Sequence, residues 1–97
     1  MKTIQIKPIA TEFAEDKDLA AKIRDNDLRP AIECGETVML DFAGVTGATQ
    51  SFVHAMISDL IRRDGPDVLD SIQFANCDQA VKYIIQIVSE YSQYEIE

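Results

Sequence analysis

Residues 37–64 read TVMLDFAGVTGATQSFVHAMISDLIRRD, and this stretch decides how the rest of the chain folds. Its first part, Val38 to Phe42, is a short apolar run of the kind that forms a buried strand. Two glycines interrupt the pattern, and beyond them apolar residues recur at helical spacing: Phe52, Val53, Met56, Ile57, Leu60 and Ile61. Thr49 is the natural N-cap, because its hydroxyl can accept a hydrogen bond from an amide of the first turn. The stretch therefore predicts a strand, a short loop, and a helix from about Gln50 to Arg63 with one buried stripe.

Three hydroxyl residues, Thr46, Thr49 and Ser51, cluster where the predicted loop becomes the helix. The carboxyl end of a strand, facing a helix N-terminus, is where α/β proteins commonly place ligands and modifiable hydroxyls. A phosphoryl group attached there would meet helix amides and the positive end of the helix dipole. In the alternative interpretation, Thr49 is only an N-cap and Ser51 is an exposed first-turn residue. If the protein has a functional site, we expect it at this loop and helix start.

Two further strands are predicted on either side of this stretch. Residues 3–7 alternate between apolar and polar, which places Ile4 and Ile6 on one face of a strand. Pro8 limits that strand, because proline has no amide to donate. Residues 71–75 alternate in the same way and predict a third strand.

The region between the first two strands predicts helix. A helix that begins at Asp16 or Asp18 would contact the core through Leu19 and Ile23, which are four residues apart. Pro30 is tolerated in the first turn of a second, short helix. The pattern leaves open whether this region is one kinked helix or two.

The last helix is predicted from about residue 78 to residue 91. Asn76 and Gln79 have the spacing of a capping box, in which Asn76 is the cap and Gln79 reaches back to it. Ile87 and Tyr83 lie off the main apolar stripe, so the apolar face is wider than a small sheet needs. This width indicates a partner or a homodimer, unless Ile87 simply meets the neighbouring helix.

The predicted order of elements is β-α-β-α-β-α. With crossovers long enough for right-handed βαβ units, this order gives an α/β domain. We therefore predict a small, mostly parallel sheet of three to four strands with packed helices, in a single compact domain over residues 1–97.

The composition excludes several classes of protein. The apolar fraction of 46% is too high for a disordered chain. No apolar run approaches the length of a membrane span and no signal peptide is evident, so we expect a cytoplasmic protein. A net charge of −8 argues against non-specific nucleic-acid binding, which depends on many Lys and Arg contacts to phosphate. The same charge permits a basic protein partner.

Catalytic and metal sites find little support in the sequence. Neither of the glycine-rich phosphate-binding motifs occurs, and the two cysteines belong to no metal-binding cluster. Asp41 stands out because it lies inside an apolar strand, where a carboxylate needs hydrogen-bond donors; amides near Gly44 or Gly47 would serve. Asp41 would then have a structural role, and the alternative is that it belongs to a functional site at the strand end. We predict no catalysis, cofactor or metal; the remaining enzyme hypothesis pairs Asp41 with His54, the only histidine.

Residues 38–45, VMLDFAGV, followed by TQSF at residues 49–52, resemble a STAS-like domain, the domain of sulfate transporters and anti-sigma factor antagonists. The bacterial STAS-like family of unknown function is more similar, since its members show a Leu-Asp-Phe strand and a Gln/Ser-Ser-Phe helix start. The resemblance is most specific over residues 38–57. In the antagonists, an ATP-dependent kinase that is also the anti-sigma factor phosphorylates a serine at the helix start. The resemblance therefore implies a regulatory role with a protein partner of the histidine-kinase-like ATPase class.

The departures from the antagonist pattern fall on the residues that would be modified. Thr49 falls on the antagonists' aspartate, Gln50 on the serine that is usually phosphorylated, and Ser51 on the second serine. Phe52 replaces a glycine, and Gln50 cannot be phosphorylated. Phosphorylation has therefore moved to Ser51 or Thr49, or this branch switches differently, or it does not switch at all.

The residues and the resemblance together predict a non-catalytic regulatory module that binds a protein partner. The expected surface comprises the loop, the helix start and an exposed continuation of the helix: Asp41, Gly44, Thr46, Gly47, Gln50, His54 and Ser58, with Ser51 and Thr49 as candidate switch residues. The alternative function is a small-ligand or nucleotide-binding domain that uses the backbone amides of residues 47–51.

Overall fold

The chain folds into short strands and helices that mostly follow one another in turn. The computed structural model describes the backbone of residues 1–95, with the side chains of all of these except residues 66 and 91–95. Within that part, the strands are β1 (Lys2–Gln5), β2 (Phe13–Ala14), β3 (Val38–Asp41), β4 (Gly47–Ala48) and β5 (Ile72–Ala75). The α-helical segments are α1 (Lys7–Ala10), α2 (Lys17–Ile23), α3 (Arg29–Glu33), α4 (Gln50–Val53), α5 (Asp59–Asp64) and α6 (Gln79–Glu95).

Two π-helical turns merge four of these segments into two long helices. The turn Arg24–Leu28 joins α2 to α3, and the turn His54–Ser58 joins α4 to α5. We call the results the first long helix (residues 17–33) and the central helix (residues 50–64). A 3₁₀ segment, Pro66–Ser71, then leads into β5. Among residues 1–95, none of these helices has the length and apolar character needed to cross a membrane.

A three-stranded parallel sheet of order β1-β3-β5 forms the centre of the fold. Its register aligns Ile4 with Leu40 and Phe74, and because side chains alternate along a strand, these residues share one face. Ile4 and Leu40 are buried, and so is Ile6, as the alternation predicts. The predicted α/β fold with a small parallel sheet is confirmed. A separate parallel pair, β2 with β4, was not predicted.

The sequence left open whether this region forms one kinked helix or two helices. The first long helix is continuous, so the region forms one helix. Arg29 donates its amide to the carbonyl of Arg24, five residues back, and this wider turn comes directly before Pro30. Proline cannot donate to the residue four positions before it, and its ring would clash with that carbonyl. Ile23 is buried as predicted, but Leu19 is only half-buried and Ala20 takes the inner position.

The central helix begins and packs as predicted. The Thr49 hydroxyl accepts a hydrogen bond from the Phe52 amide at 3.1 Å, so Thr49 is the N-cap. All six stripe residues are buried: Phe52, Val53, Met56, Ile57, Leu60 and Ile61. The central helix packs against the first long helix and α6, and its stripe belongs to the same core cluster as Ile4 and Leu40 of the sheet; this packing fixes the direction of the helix N-terminus.

The start of α6 differs from the prediction. Asn76 is not a helix cap, because its φ of 55° lies in the left-handed region. Asp78 caps the helix, accepting a hydrogen bond from the Ala80 amide at 3.1 Å. The Asn76 side chain instead reaches Asp41 at the end of β3. Val81, Ile85 and Val88 form the buried stripe of α6, with Ile84 half-buried beside it.

Candidate functional site

The loop after β3 turns tightly at Gly44. Its φ of +82° is one that other residues rarely adopt, and a β-carbon there would lie only 2.6 Å from Cδ of Lys7. Val45 is buried and donates its amide to the carbonyl of Phe42, which closes the turn. The loop is therefore held in one shape by its own backbone and by the neighbouring α1.

A second clamp on the loop comes from residues 12–14. The amides of Thr46 and Thr49 donate to the carbonyls of Glu12 and Ala14, at 2.8 and 2.9 Å. Phe13 pairs with Gly47, where an added β-carbon would lie 2.8 Å from the Phe13 ring. Gly47 is consequently buried, and its predicted place on the exposed surface is wrong. Its role is to let the aromatic ring approach the loop.

The exposed residues of the loop and helix start form one polar surface, which we call the helix-start surface: Gly44, Thr46, Gln50, Ser51 and His54. Thr49 is half-buried and its hydroxyl serves as the cap, whereas Ser51 is exposed in the first turn. The two candidate switch hydroxyls are therefore not equivalent, since modification of Thr49 would remove the cap.

The sequence predicted that Ser58 extends this surface along the helix, and that prediction is wrong. The residue is only 1% exposed, and within the described part of the chain its hydroxyl has no hydrogen-bond partner. The reason is the π-helical turn His54–Ser58. Such a turn has more residues per revolution than the 3.6 of an α-helix, so Ser58 is rotated back toward the core.

Asp41 holds two strand ends together. One oxygen, Oδ1, accepts hydrogen bonds from the Ala43 amide at 2.9 Å and from the Asn76 side chain at 3.0 Å. The bond from Asn76, and then that from Ala43, lowers the pKa of the Asp41 carboxyl below its usual value. The predicted need for donors is met by the amide of Ala43, directly before Gly44, and by the Asn76 side chain, which was not predicted.

A shallow cavity of about 480 Å³, which we call the strand-end cavity, lies beyond β3 and β5. Its lining comprises Ala43, Gly44, Val45, Thr46, Asn76, Cys77 and Asp78. Partial burial raises the pKa of the Cys77 thiol, so this sulfur is a poor nucleophile. The other cysteine, Cys34, is exposed after the first long helix.

A second depression, which we call the helix groove, has a volume of about 500 Å³ and runs along the central helix. It is lined by Lys17, Gln50, Ser51, His54, Ala55, Ile87 and Val88. Three members of the helix-start surface, Gln50, Ser51 and His54, therefore form one wall of this groove. The opposite side comes from the start of α2 and from α6.

The geometry bears on two alternative hypotheses: a ligand site formed by the amides of residues 47–51, and an enzyme site that pairs Asp41 with His54. Of the amides of residues 47–51, that of Thr49 donates to the Ala14 carbonyl and is therefore not available to a phosphate group. Asp41 is bonded to Asn76 in the lining of the strand-end cavity, whereas His54 lines the helix groove. Among the side chains that the structure describes, no three of His, Cys, Asp or Glu are grouped to hold a metal ion.

Several residues of the site were not predicted from the sequence. Lys17 lines the helix groove, and Phe13, with 48% of its surface exposed, lies against the loop. Ile87 was predicted as part of a partner or dimer face, but not beside Gln50 and His54. An aromatic residue in the polar segment 11–18 is the signal that could have indicated Phe13. Lys17 carried no such signal, because only the packing of the first long helix brings it beside His54.

Comparison with known proteins identifies the family but adds no individual relative. No curated protein and no solved structure matches the chain. The model of a family described as a STAS-like domain of unknown function (DUF4325) matches residues 20–82, from within the first long helix to the start of α6. That match covers more than half of the sequence and includes β3, its loop and the central helix. The chain belongs to this family of STAS-like domains.

Proposed function

We propose that this protein is a non-catalytic regulatory module that binds a protein partner through the helix-start surface. One observation carries the proposal: an exposed hydroxyl, Ser51, lies in the first turn of a well-packed helix, beside a loop that is clamped from both sides. A rigid surface binds a partner without paying for loop ordering. The loop beside Ser51 is held in place on two sides. Lys7 lies close to Gly44, and residues 12–14 are hydrogen-bonded to residues 46–49.

Ser51 is the residue at which we propose that binding is switched. In the first turn, an added negative charge lies near free amides and the positive end of the helix dipole, so the fold tolerates it. Thr49 is the weaker candidate, because its hydroxyl is already used as the cap. From the family resemblance, we propose a histidine-kinase-like ATPase as the class of partner that reads or modifies Ser51.

The second candidate function, a small-ligand or nucleotide-binding domain, finds less support. It depends on backbone amides of residues 47–51, and the hydrogen bond of Thr49 to Ala14 uses one of them. The two functions give different results in one assay: a ligand that binds the folded state raises the melting temperature without any partner. The regulatory proposal expects no such shift with ATP or GTP.

The experiment that tests the proposal compares Ser51→Asp with Ser51→Ala. Both variants should unfold at nearly the same urea concentration, because a first-turn anion changes helix stability by only about 0.3–1 kcal/mol, and favourably. Ser51→Asp should lose affinity for the partner by about tenfold or more, since an unpaired charge in a buried contact costs several kcal/mol. Capture of partners from cell lysate, followed by titration of the recovered partner, measures the difference.

Thr3→Asp is the matched control, because it adds the same charge at an exposed position, on the face of the sheet opposite the buried side chain of Ile4. This variant should retain the partner. Equal affinity of Ser51→Asp and Ser51→Ala for every recovered partner would contradict the proposed switch.

A further inference from the structure

The helix groove has a charge unlike that of the rest of the chain. The sequence carries 17 acidic and 9 basic residues, yet among the side chains that the structure describes, the lining of the groove contains Lys17 and His54 and no carboxylate. Asp16, which precedes Lys17, turns its carboxylate to the Asp18 amide at 2.9 Å and caps its own helix. The groove therefore presents one positive charge, that of Lys17, and several hydrogen-bonding side chains on an acidic protein.

The rest of the groove lining is apolar. It comes from Ala55 of the central helix and from Ile87 and Val88 of α6, and Ile87 and Ala55 are half-buried with part of their surface facing outward. Ile87 is one of the residues that made the predicted apolar face of the last helix wider than a small sheet needs. An apolar wall from α6 near a lysine suits a ligand that combines apolar and anionic groups.

We propose that the helix groove seats an acidic segment of the protein partner, with a large apolar side chain against Ile87 and a carboxylate beside Lys17. The proposal rests on the proposed function and names the chemistry of the partner. Charge complementarity favours this occupant over a basic one, which would meet Lys17 unpaired. Continuity favours a protein segment, because Gln50, Ser51 and His54 belong to both the groove and the helix-start surface.

The strand-end cavity provides a contrast within the same molecule. It is lined by Asp78, and Asn76 of its lining is bonded to the carboxylate of Asp41. An acidic segment would be repelled there, so the two cavities on either side of the loop accept different chemistry. The groove should therefore be the site that an acidic segment selects.

Selection of random linear peptides displayed on phage against the full-length chain tests this inference. We expect the enriched peptides to combine Asp or Glu with a large apolar residue. Lys17→Glu should weaken their binding by about tenfold or more, the scale of one lost charge pair in an interface. The matched control is Lys22→Glu, which makes the same charge change at an exposed position of the same helix, outside the groove, and should change binding by less than about twofold.

A second pair of variants tests the apolar wall. Ile87→Ala should weaken the same peptides, whereas Ile84→Ala, on the same helix but outside the groove lining, should not. Enrichment of basic peptides, equal loss from Lys17→Glu and Lys22→Glu, or no enrichment at all would overturn the inference. If the peptide experiments contradict the groove proposal while Ser51→Asp still alters partner binding, the proposed function stands, but the partner segment is not acidic or does not bind in the groove.

Discussion

At the scale of single residues, the Asp41 carboxylate links the end of β3 to the segment that follows β5. Its carboxylate accepts bonds from Ala43 and Asn76, and these bonds favour the charged form and lower its pKa. A depressed folded-state pKa stabilises the fold above the pKa of an unfolded aspartate, about 3.9. This contribution is lost as the pH falls through the lower pKa of the folded state.

The first residue-scale prediction is that Asp41→Asn destabilises the protein at neutral pH and much less in acid. Asparagine retains an oxygen that can accept both bonds but removes the charge that strengthens them. Urea unfolding at about pH 6 and about pH 3 gives the free-energy difference from wild type at each pH. Asp67→Asn, at an exposed position, is the control and should show a smaller change. A penalty for Asp41→Asn that grows as the pH falls would contradict this role.

The second residue-scale prediction concerns the buried hydroxyl of Ser58. Ser58→Ala should leave the free energy of unfolding unchanged or raise it by about 1 kcal/mol, because a buried hydroxyl without a partner carries a desolvation penalty. Urea denaturation measures the effect. A loss of more than about 1 kcal/mol would indicate that the hydroxyl is bonded within the π-helical turn.

At the scale of elements, the two π-helical turns are joined by a cluster of ion pairs. Arg24 donates to the Ala55 carbonyl at 2.7 Å and to Asp25, while Arg29 bonds to both Asp25 and Asp59. The arginine side chains are only 18% and 17% exposed, whereas Asp25 and Asp59 are 48% and 41% exposed, so solvent still screens these pairs in part. The cluster holds the first long helix against the central helix and so positions the helix-start surface.

The element-scale prediction is that Leu60→Ala costs about 2–5 kcal/mol of stability, the range for deleting a buried large aliphatic side chain. Leu60 is fully buried on the stripe of the central helix. Arg63→Ala, on the exposed side of the same helix, serves as the control and should cost far less. Chemical denaturation measures both, and a loss below about 1 kcal/mol for Leu60→Ala with the fold intact would mean that the stripe is misassigned.

Elements with a strong local signal were predictable from the sequence. The Thr49 cap and the stripe from Phe52 to Ile61 follow from side-chain chemistry and a regular period. Ser58 and Asn76 were not, because a π-helical turn shifts the period and a left-handed residue moves the cap to Asp78. Both departures depend on tertiary contacts, which a periodic pattern does not contain.

At the scale of the whole molecule, helices cover one face of the sheet and leave the other polar. Thr3, Gln5 and Gln73 are exposed on that open face. Parallel sheets are commonly covered on both faces, so the open face is a competing location for partner binding. It lies on strands away from the helix-start surface, and experiment can therefore separate the two.

The candidate site was predicted only in part, because a local sequence pattern does not contain the tertiary contacts that complete the site. Its residues on one continuous stretch, Gln50, Ser51 and His54, follow from a helix start. Lys17 and Ile87 join them only through the packing of three helices, which brings distant parts of the chain together. Local sequence therefore indicated where the site begins, and the tertiary structure supplied its opposite wall.

Amide chemical-shift mapping tests the central claim, that the helix-start surface binds the partner. The isotope-labelled protein would be titrated with the partner recovered from lysate. We predict that the largest shifts fall on residues 44–54 and on Ile87 and Val88, because these form the proposed contact. Shifts centred instead on Thr3, Gln5 and Gln73, with residues 44–54 unchanged, would place the partner on the open sheet face and contradict the claim.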